Sequence, residues 1–541
     1  MTETISGYGP EPTGDDMAGE YDVCVIGSGA SGATVAWALA GAGLSVAVVE
    51  QGRFVTPDVS YDDLLSAAEP AWVRQENGTW GKVGYPWTTC NVGGGTVFYG
   101  GAFFRYRPVD FDAERVLGEA ELPLRWPWEP AELNAYYGAI EDLVGVAGAT
   151  DADPTLPRRD RPYPLPPVEM SPEGAMLAAA ATTMGWHPFP TPLAVNSHGY
   201  RGRPACTADA PCICRQCPNG AKGDATTRFL FPAIDLGAKL FAGLKAVRLI
   251  GDGRWSAQAL ECVRMDTGAR FVFRARCFVV CANAVQTAAL LLRSPAARHP
   301  SGLGNTHDLV GRGLCFKLSE YLVGYRSAGS GDGSPGSELM GLGPFSTCAI
   351  TDLYEDPGAP GGLGGLLYEA RPERSYRMRK DEQLLRIEAL VPDEPQPTNR
   401  VRLGPGVDAH GVPDVLMDYQ AHPRDRARLE YVLDRGGQML RAAGCTVVLR
   451  EPSGWALGST HLHGTGRMGF DPKTSVTDPD GRLHDTDNVY IGDGALLPFP
   501  AGVNPTLTIQ AVALRVAHRM LSDRFALGST AVDDLVPGVR E

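Results

Sequence analysis

Near the N-terminus the apolar positions run together. Val23-Cys24-Val25-Ile26 has the composition of a strand buried on both faces, and Val46–Val49 is a second such run. Between them Ala33–Ala42 is alanine-rich and helical, and Gly43 stops it. Strand, helix, strand reads as a βαβ unit, and its two strands must then pair in parallel. In the middle of the chain, Lys239–Arg264 and Ala269–Cys281 alternate apolar with polar residues and predict strands. The last of these runs through Ala282 into a helix over Val285–Arg293. From about Phe316 to Leu449 the strand-like runs FKLSEYLVGYR, STCAITDLYE, GLLYEA and LLRIEALV are joined by glycine-rich loops, the pattern of an antiparallel meander. Residues 108–150 read as helical with a break at Trp126-Pro127-Trp128. Ala131–Val144 and Arg424–Ala443 are amphipathic helices, and Met176–Met184 is a short one. Asn488–Asp493 reads as a strand and TIQAVALRVAHRML as a final helix, with Asn504 as its N-cap and Pro505 as its first residue.

Other stretches lack rhythm. The pattern leaves regular structure after Gly52, and the proline-rich residues 151–172 read as a surface connection. Ser327–Gly343 is either a lid or a surface excursion.

With 541 residues the chain is long enough for two domains. Its charge, 49 − 63 = −14, argues against nucleic acid or an anionic membrane surface as partner. The same charge suits a cationic substrate, although acidic surfaces also serve solubility. No apolar run reaches the length of a membrane span. Residues 1–19 lack the basic and apolar regions of a signal peptide and read as a disordered lead-in, so the expected location is cytoplasmic.

The glycines after the first strand, Gly27, Gly29 and Gly32, have G-x-G-x-x-G spacing, and the second strand ends on Glu50. That context predicts a dinucleotide site. The glycines permit a tight turn and a close backbone approach to a pyrophosphate, the helix N-terminus faces the phosphates, and Glu50 accepts from a ribose hydroxyl. The β-unit after Lys239 would cover the adenine end, with Val247 as a contact. Val92–Gly101 is a second glycine-dense loop, able to lie flat against a ligand. Cys206, Cys212, Cys214 and Cys217 fall within twelve residues. Their spacing is not that of a regular zinc site; a metal or iron–sulfur cluster, disulfides and free thiols all remain open. Other cysteines, such as Cys24, Cys262, Cys277, Cys281 and Cys315, sit in apolar runs as core residues.

Four blocks in order resemble the glucose–methanol–choline family of FAD-dependent oxidoreductases. They are the βαβ unit, VGGGTVFYGG ending in Arg105, NRVRL with Asp408–Pro413, and HLHGTGRMG…NVYIGDG…VNPTLT. The nearest branches are the pyranose oxidases and the bacterial sugar dehydrogenases. The resemblance implies an α/β fold in which a Rossmann-like FAD-binding domain (20–107, 200–315, 456–525) interleaves with an α+β substrate domain on an antiparallel sheet (108–199, 316–455), followed by a tail, 526–541. It places the catalytic histidine at His461, ahead of His463, and its second catalytic residue at Asn504. His410 and His484 are left as surface residues. FAD contacts are expected at Gly27, Gly29, Ser31, Gly32, Glu50, Gly94, Gly95, Thr96, Tyr99, Gly100, Ala282, Asp493, Gly494, Asn504, Pro505 and Thr506, besides Val247. Phe98 stands where pyranose oxidases carry the histidine that binds FAD covalently, so the FAD is expected to be non-covalent.

The activity implied is oxidation of an alcohol on a sugar, glycoside or amino sugar. His461 takes the hydroxyl proton and flavin N5 the hydride, with O2 or an external acceptor reoxidising the flavin. A hydrophobic alcohol or sterol as substrate, or a non-catalytic electron relay, are the alternatives. A homo-oligomer is compatible with the sequence.

Overall fold

The computed structural model describes residues 12–57, 68–74, 78–156, 159–251, 256–327, 341–372, 382–451, 459–527 and 532. Its first layer is a sheet in the order 239–242, 46–50, 20–26, 270–280, 257–264, 244–251. The strand Glu20–Ile26 pairs in parallel with Val46–Glu50 on one side and Arg270–Val280 on the other. Arg270–Val280 is long enough to serve two further partners. Its first half pairs antiparallel with Ala257–Arg264, and its last residues pair in parallel with Val489–Ile491. The C-terminal motif is thereby tied to the N-terminal βαβ unit, and Ile26, Val280 and Ile491 end side by side.

The helix Ala30–Gly41 is buried around almost its whole girth from Ser31 to Ala40. Small side chains permit this, and the helix Thr506–Phe525 packs against it. Gly27 has φ +101°, and a Cβ there would lie 2.3 Å from the carbonyl oxygen of Cys281; a Cβ on Gly32 would lie 2.0 Å from that of Gly27. Only glycine lets helix and strands close to this distance.

The second layer is a six-stranded antiparallel sheet in the order 447–451, 318–327, 382–391, 366–369, 348–350, 189–190. One face carries Leu322, Leu367, Leu385 and Ile387 against Leu429, Val432, Leu433 and Leu440 of the helix Pro423–Ala442. The alternation of a strand then turns Arg386 and Glu388 to the other face. The strands predicted from Phe316 onward form this sheet, but only 348–350, 366–369 and 382–391 follow one another as a meander; 318–327 pairs with 382–391 instead.

The pairing of 400–407, 413–418, 68–74 and 80–89 into a third sheet corrects the reading that regular structure ends after Gly52. Ala68–Arg74 pairs in parallel with Pro413–Asp418, far away in sequence, and Gly81, Gly84 and Pro86 dilute the alternation of its neighbour, so no local signal marks either strand. The lead-in also differs. Gly14–Ala18 is a short helix with a Thr13–Asp16 capping box, held down by a Lys239–Asp16 ion pair of 2.7 Å. Residues 108–150 hold two four-residue helices, Pro108–Phe111 and Glu114–Leu117, before the longer helix Asn134–Val144. Residues 1–11, 328–340 of the expected lid, 456–458 and most of the tail lie outside the described residues. Among the described residues no helix is long and apolar enough to cross a membrane.

Candidate active site

A cavity of about 610 Å³ lies between the two main sheets. At one end it is lined by Glu50, Gln51, Leu244, Ala246 and Arg293; in the middle by Gly27, Gly29, Gly94, Gly95, Thr96 and Ala282; and at the other end by His461, Asn504, Ser319, Tyr321, Tyr368, Arg386, Glu388 and Glu451.

The middle is bare backbone. A Cβ on Gly29 would meet only Gly94 within 4 Å, and Gly94 itself has φ +56°. The helix Ala30–Gly41 points its N-terminus into this channel, and its uncapped N–H groups carry the positive end of the dipole. Glu50 is buried and accepts from Ser28 N at 2.9 Å, Ser28 Oγ at 2.7 Å and Gly52 N at 2.7 Å. Burial raises its carboxyl above the ordinary range, and these donors oppose the rise. Asp493 accepts from Ala495 N at 2.8 Å and Thr287 Oγ1 at 2.5 Å, and burial pushes it up to about 6. Buried polar atoms of three lining residues, Thr89 Oγ1, Asn91 Oδ1 and Asn504 Oδ1, have no partner among the described residues. A slot walled by backbone, with an anion-binding helix end, a ribose-type carboxylate acceptor and unspent polar atoms, fits a dinucleotide such as FAD.

The loop Gly94–Tyr99 is clamped from below. Lys222 is fully buried, and its ammonium donates to the carbonyls of Val97, Tyr99, Cys212 and Arg215 at 2.6–3.0 Å. The cysteine-rich segment is wrapped around this one cation. Cys206 and Cys212 meet as a hydrogen-bonded pair, while Cys214 packs with Val97 and Phe98. Among the described residues the four sulfurs do not gather into a ligand set. The trio that does come close enough to share an ion, Glu394, His422 and Asp425, is already paired with Arg424 and Arg428.

At the far end His461 and His463 part ways. His463 is fully buried; its Nδ1 lies 2.6 Å from the carbonyl of His461, so Nδ1 carries the proton and Nε2 accepts from Tyr106 OH at 2.9 Å. Ser459 Oγ donates to the carbonyl of Phe316, so at 3.0 Å from His461 Nδ1 it is an acceptor, and His461 Nδ1 also carries its proton. His461 Nε2 is then an acceptor on the cavity side, and Asn504 Nδ2 donates to it at 3.4 Å. Burial, then the charges of Lys317 and His463, hold the His461 imidazole well below its ordinary value.

Asn504 is not the helix cap. Thr506–Phe525 is preceded by Pro505 in the cap position, because Pro505 already has near-helical dihedrals, and Asn504 is released into the cavity. Its side chain bonds to Tyr368, whose hydroxyl donates to Glu388 Oε2 at 2.6 Å.

Of the expected cofactor contacts, Gly27, Gly29, Ser31, Glu50, Gly94, Gly95, Thr96, Tyr99, Gly100, Ala282, Asp493, Gly494, Asn504, Pro505 and Thr506 line the cavity. Gly32 does not; it serves helix–strand packing. Val247 does not either, since it turns away into a small cluster with Val263 and Val412, and Leu244 and Ala246 face the slot instead. Sequence reasoning passed over Lys317, Ser459, Tyr321, Tyr368, Glu388 and Glu451. The signal for Glu388 was present: Arg386 and Glu388 are charges at i and i+2 in an otherwise apolar strand, LLRIEALV.

Two family models described as GMC oxidoreductase match residues 73–319 and 395–513, and one described as FAD dependent oxidoreductase matches 22–60. The chain is 46% identical over 94% of its length to 6'''-hydroxyparomomycin C oxidase of Streptomyces lividus, covering 93% of that protein. It is 45% identical to paromamine 6'-oxidase of Streptomyces fradiae, over 93% of this chain and 92% of the other. It is 31% identical to 2-methyl-1,2-propanediol dehydrogenase of Mycolicibacterium austroafricanum, over 94% and 96%. Pyridoxine 4-oxidase from Mesorbium loti has the same fold, with TM-score 0.66 at 17% identity over 92% of this chain and 99% of that one.

Proposed function

The chain belongs to the GMC oxidoreductase family, and from that premise we propose that it oxidises the exocyclic hydroxymethyl group of an aminoglycoside to the aldehyde. It is an FAD-dependent oxidoreductase acting on a CH–OH group of a sugar- or aminoglycoside-like substrate. The position of the reacting carbon rests on the names of two relatives, a 6'-oxidase and a 6'''-hydroxy oxidase. Their names also favour dioxygen as acceptor. The observation that carries the residue roles is His461 Nε2, an acceptor on the cavity wall whose partner is the long 3.4 Å contact from Asn504 Nδ2.

In this reading FAD, when bound, accepts the hydride from the carbinol carbon. His461 Nε2 takes the hydroxyl proton, and Nδ1–H, fixed on Ser459, keeps the imidazole in the tautomer that can do so. Asn504 Nδ2 donates to the substrate oxygen and fixes which C–H points inward. The N-terminus of Thr506–Phe525, with Asp493 nearby, closes the floor. We assign the cofactor to the 20–107, 200–315 and 456–525 segments and the substrate to 108–199 and 316–455. Non-covalent attachment is supported by Phe98, which is buried against Val97 and Cys214 away from the slot. The sterol alternative suits the polar wall at the substrate end poorly, and a relay has no cysteine ligand set to rest on among the described residues.

The test is His461→Ala with paromamine as substrate. Turnover, read as hydrogen peroxide release, falls by about 10²–10⁴-fold, while FAD stays with the native variant and is freed by acid denaturation. Undiminished steady-state activity in that variant refutes the role of His461.

A further inference from the structure

The substrate end of the cavity is built on one register row across the six-stranded sheet. Glu451 stands opposite Tyr321, Tyr321 opposite Glu388, and Glu388 opposite Tyr368. Pairing in register puts these four side chains on one face, and all four line the cavity. Carboxylate thus alternates with phenol along a single line. Arg386, on the same face, lies 3.0 Å from Glu451 and 3.8 Å from the centre of the Tyr321 ring. Among the described residues the wall thus carries two carboxylates and a guanidinium that bonds Glu451.

Glu388 is the inner of the two and is 5% exposed. It accepts from Tyr368, and Tyr368 also touches the side chain of Asn504. Two hydrogen-bonded links thus separate the Glu388 carboxylate from the amide that would hold the reacting hydroxyl. That spacing suits two groups of one sugar ring, one seated on Glu388 and the hydroxyl on Asn504. A carboxylate beside a tyrosine ring is a recognition surface for an ammonium, which gains from the anion and from the Tyr368 ring together; the Tyr321 ring already carries Arg386.

Resting on the reading above that the substrate is an amino sugar, we infer that Glu388 is a specificity residue: it binds the ammonium on the same ring that carries the reacting hydroxymethyl. Glu451, further along the row from Tyr368 and Asn504, contributes less. Buried polar recognition of this kind discriminates strongly, because a substrate lacking the partner leaves the site's own group unmatched.

The test compares methyl glucosaminide with methyl glucoside, which has a hydroxyl in place of the amine. Both are measured on the wild-type holoenzyme, E388Q and E388D at saturating FAD, as kcat/KM and as anaerobic binding by calorimetry. Glutamine still offers an oxygen to Tyr368, so E388Q removes the charge and keeps the chain to Asn504. The wild type prefers the glucosaminide at least tenfold. E388Q loses at least tenfold of that preference, and E388D, which retains the charge, keeps most of it. A wild-type preference below threefold overturns the inference with no variant needed. So does a preference that survives in E388Q, or one lost equally in E388Q and E388D. Failure of the function itself looks different: no turnover or flavin bleaching by paromamine or any amino sugar refutes the proposed substrate class, whatever Glu388 does.

Discussion

His461 and His463 are neighbours in sequence with opposite chemical situations. Both carry the proton on Nδ1, but His463 spends Nε2 on Tyr106, whereas His461 turns it to the cavity. Lys317 stands behind both. It is fully buried, its ammonium donates to the carbonyl of Val503 and lies 5.4 Å from the Tyr106 ring, and burial pushes it down to about 7. Its charge is the second cause, after burial, of the lowered His461 value, with His463 the third. A base must be neutral to act, so turnover that needs neutral His461 falls as pH drops through the folded value, which lies well below 6.5. Lys317→Met removes one lowering cause and raises that value. The acid limb of the kcat/KM–pH profile therefore moves to higher pH in the variant. A limb that stays in place, with FAD content unchanged, shows that Lys317 acts on the backbone at Val503 and not on the imidazole.

At the scale of elements, legibility followed whether the information was local. The βαβ unit was readable because its strands, helix and glycines lie within one short stretch, and the two close approaches at Gly27 and Gly32 need that residue type. The strands Ala68–Arg74 and Trp80–Thr89 were not readable, since a parallel partner more than three hundred residues away organises the first of them. Val247 was misplaced because the bulge between Ala246 and Arg248 shifts which residues of its strand face inward. In the cysteine segment, where a metal or cluster, disulfides and free thiols were all open readings, the group the segment folds around is the ammonium of Lys222. Burial lowers that ammonium from its ordinary value, and four carbonyls hold it in place. Lys222→Met leaves those carbonyls without their donor and destabilises the protein by about 3–4 kcal/mol. Since two of them belong to the Val97–Tyr99 turn against the FAD slot, the variant also loses FAD more readily, read as flavin fluorescence appearing at lower temperature than in the wild type. Unchanged flavin retention would separate the clamp from the cofactor site.

For the whole molecule the question is what the −14 charge does. The local account gives amine selectivity to Glu388, inside a cavity where salt has little access. A global account gives it to the summed negative field, which draws a cation toward the mouth and raises its encounter rate. The two differ in range. Raising ionic strength from about 0.01 M to about 1 M shortens the Debye length from roughly 30 Å to roughly 3 Å, which removes the long-range field but leaves a buried contact largely intact. If both act, kcat/KM for methyl glucosaminide falls about tenfold across that range while that for methyl glucoside moves less than twofold, and a residual amine preference persists at high salt. That residue of selectivity is then the part E388Q abolishes. If the glucosaminide shows no salt dependence and yet remains preferred, the acidic surface serves solubility and recognition is confined to the wall of the cavity. If the preference vanishes at high salt, it belonged to the field all along, and the row of carboxylates and phenols must be read as architecture supporting Asn504.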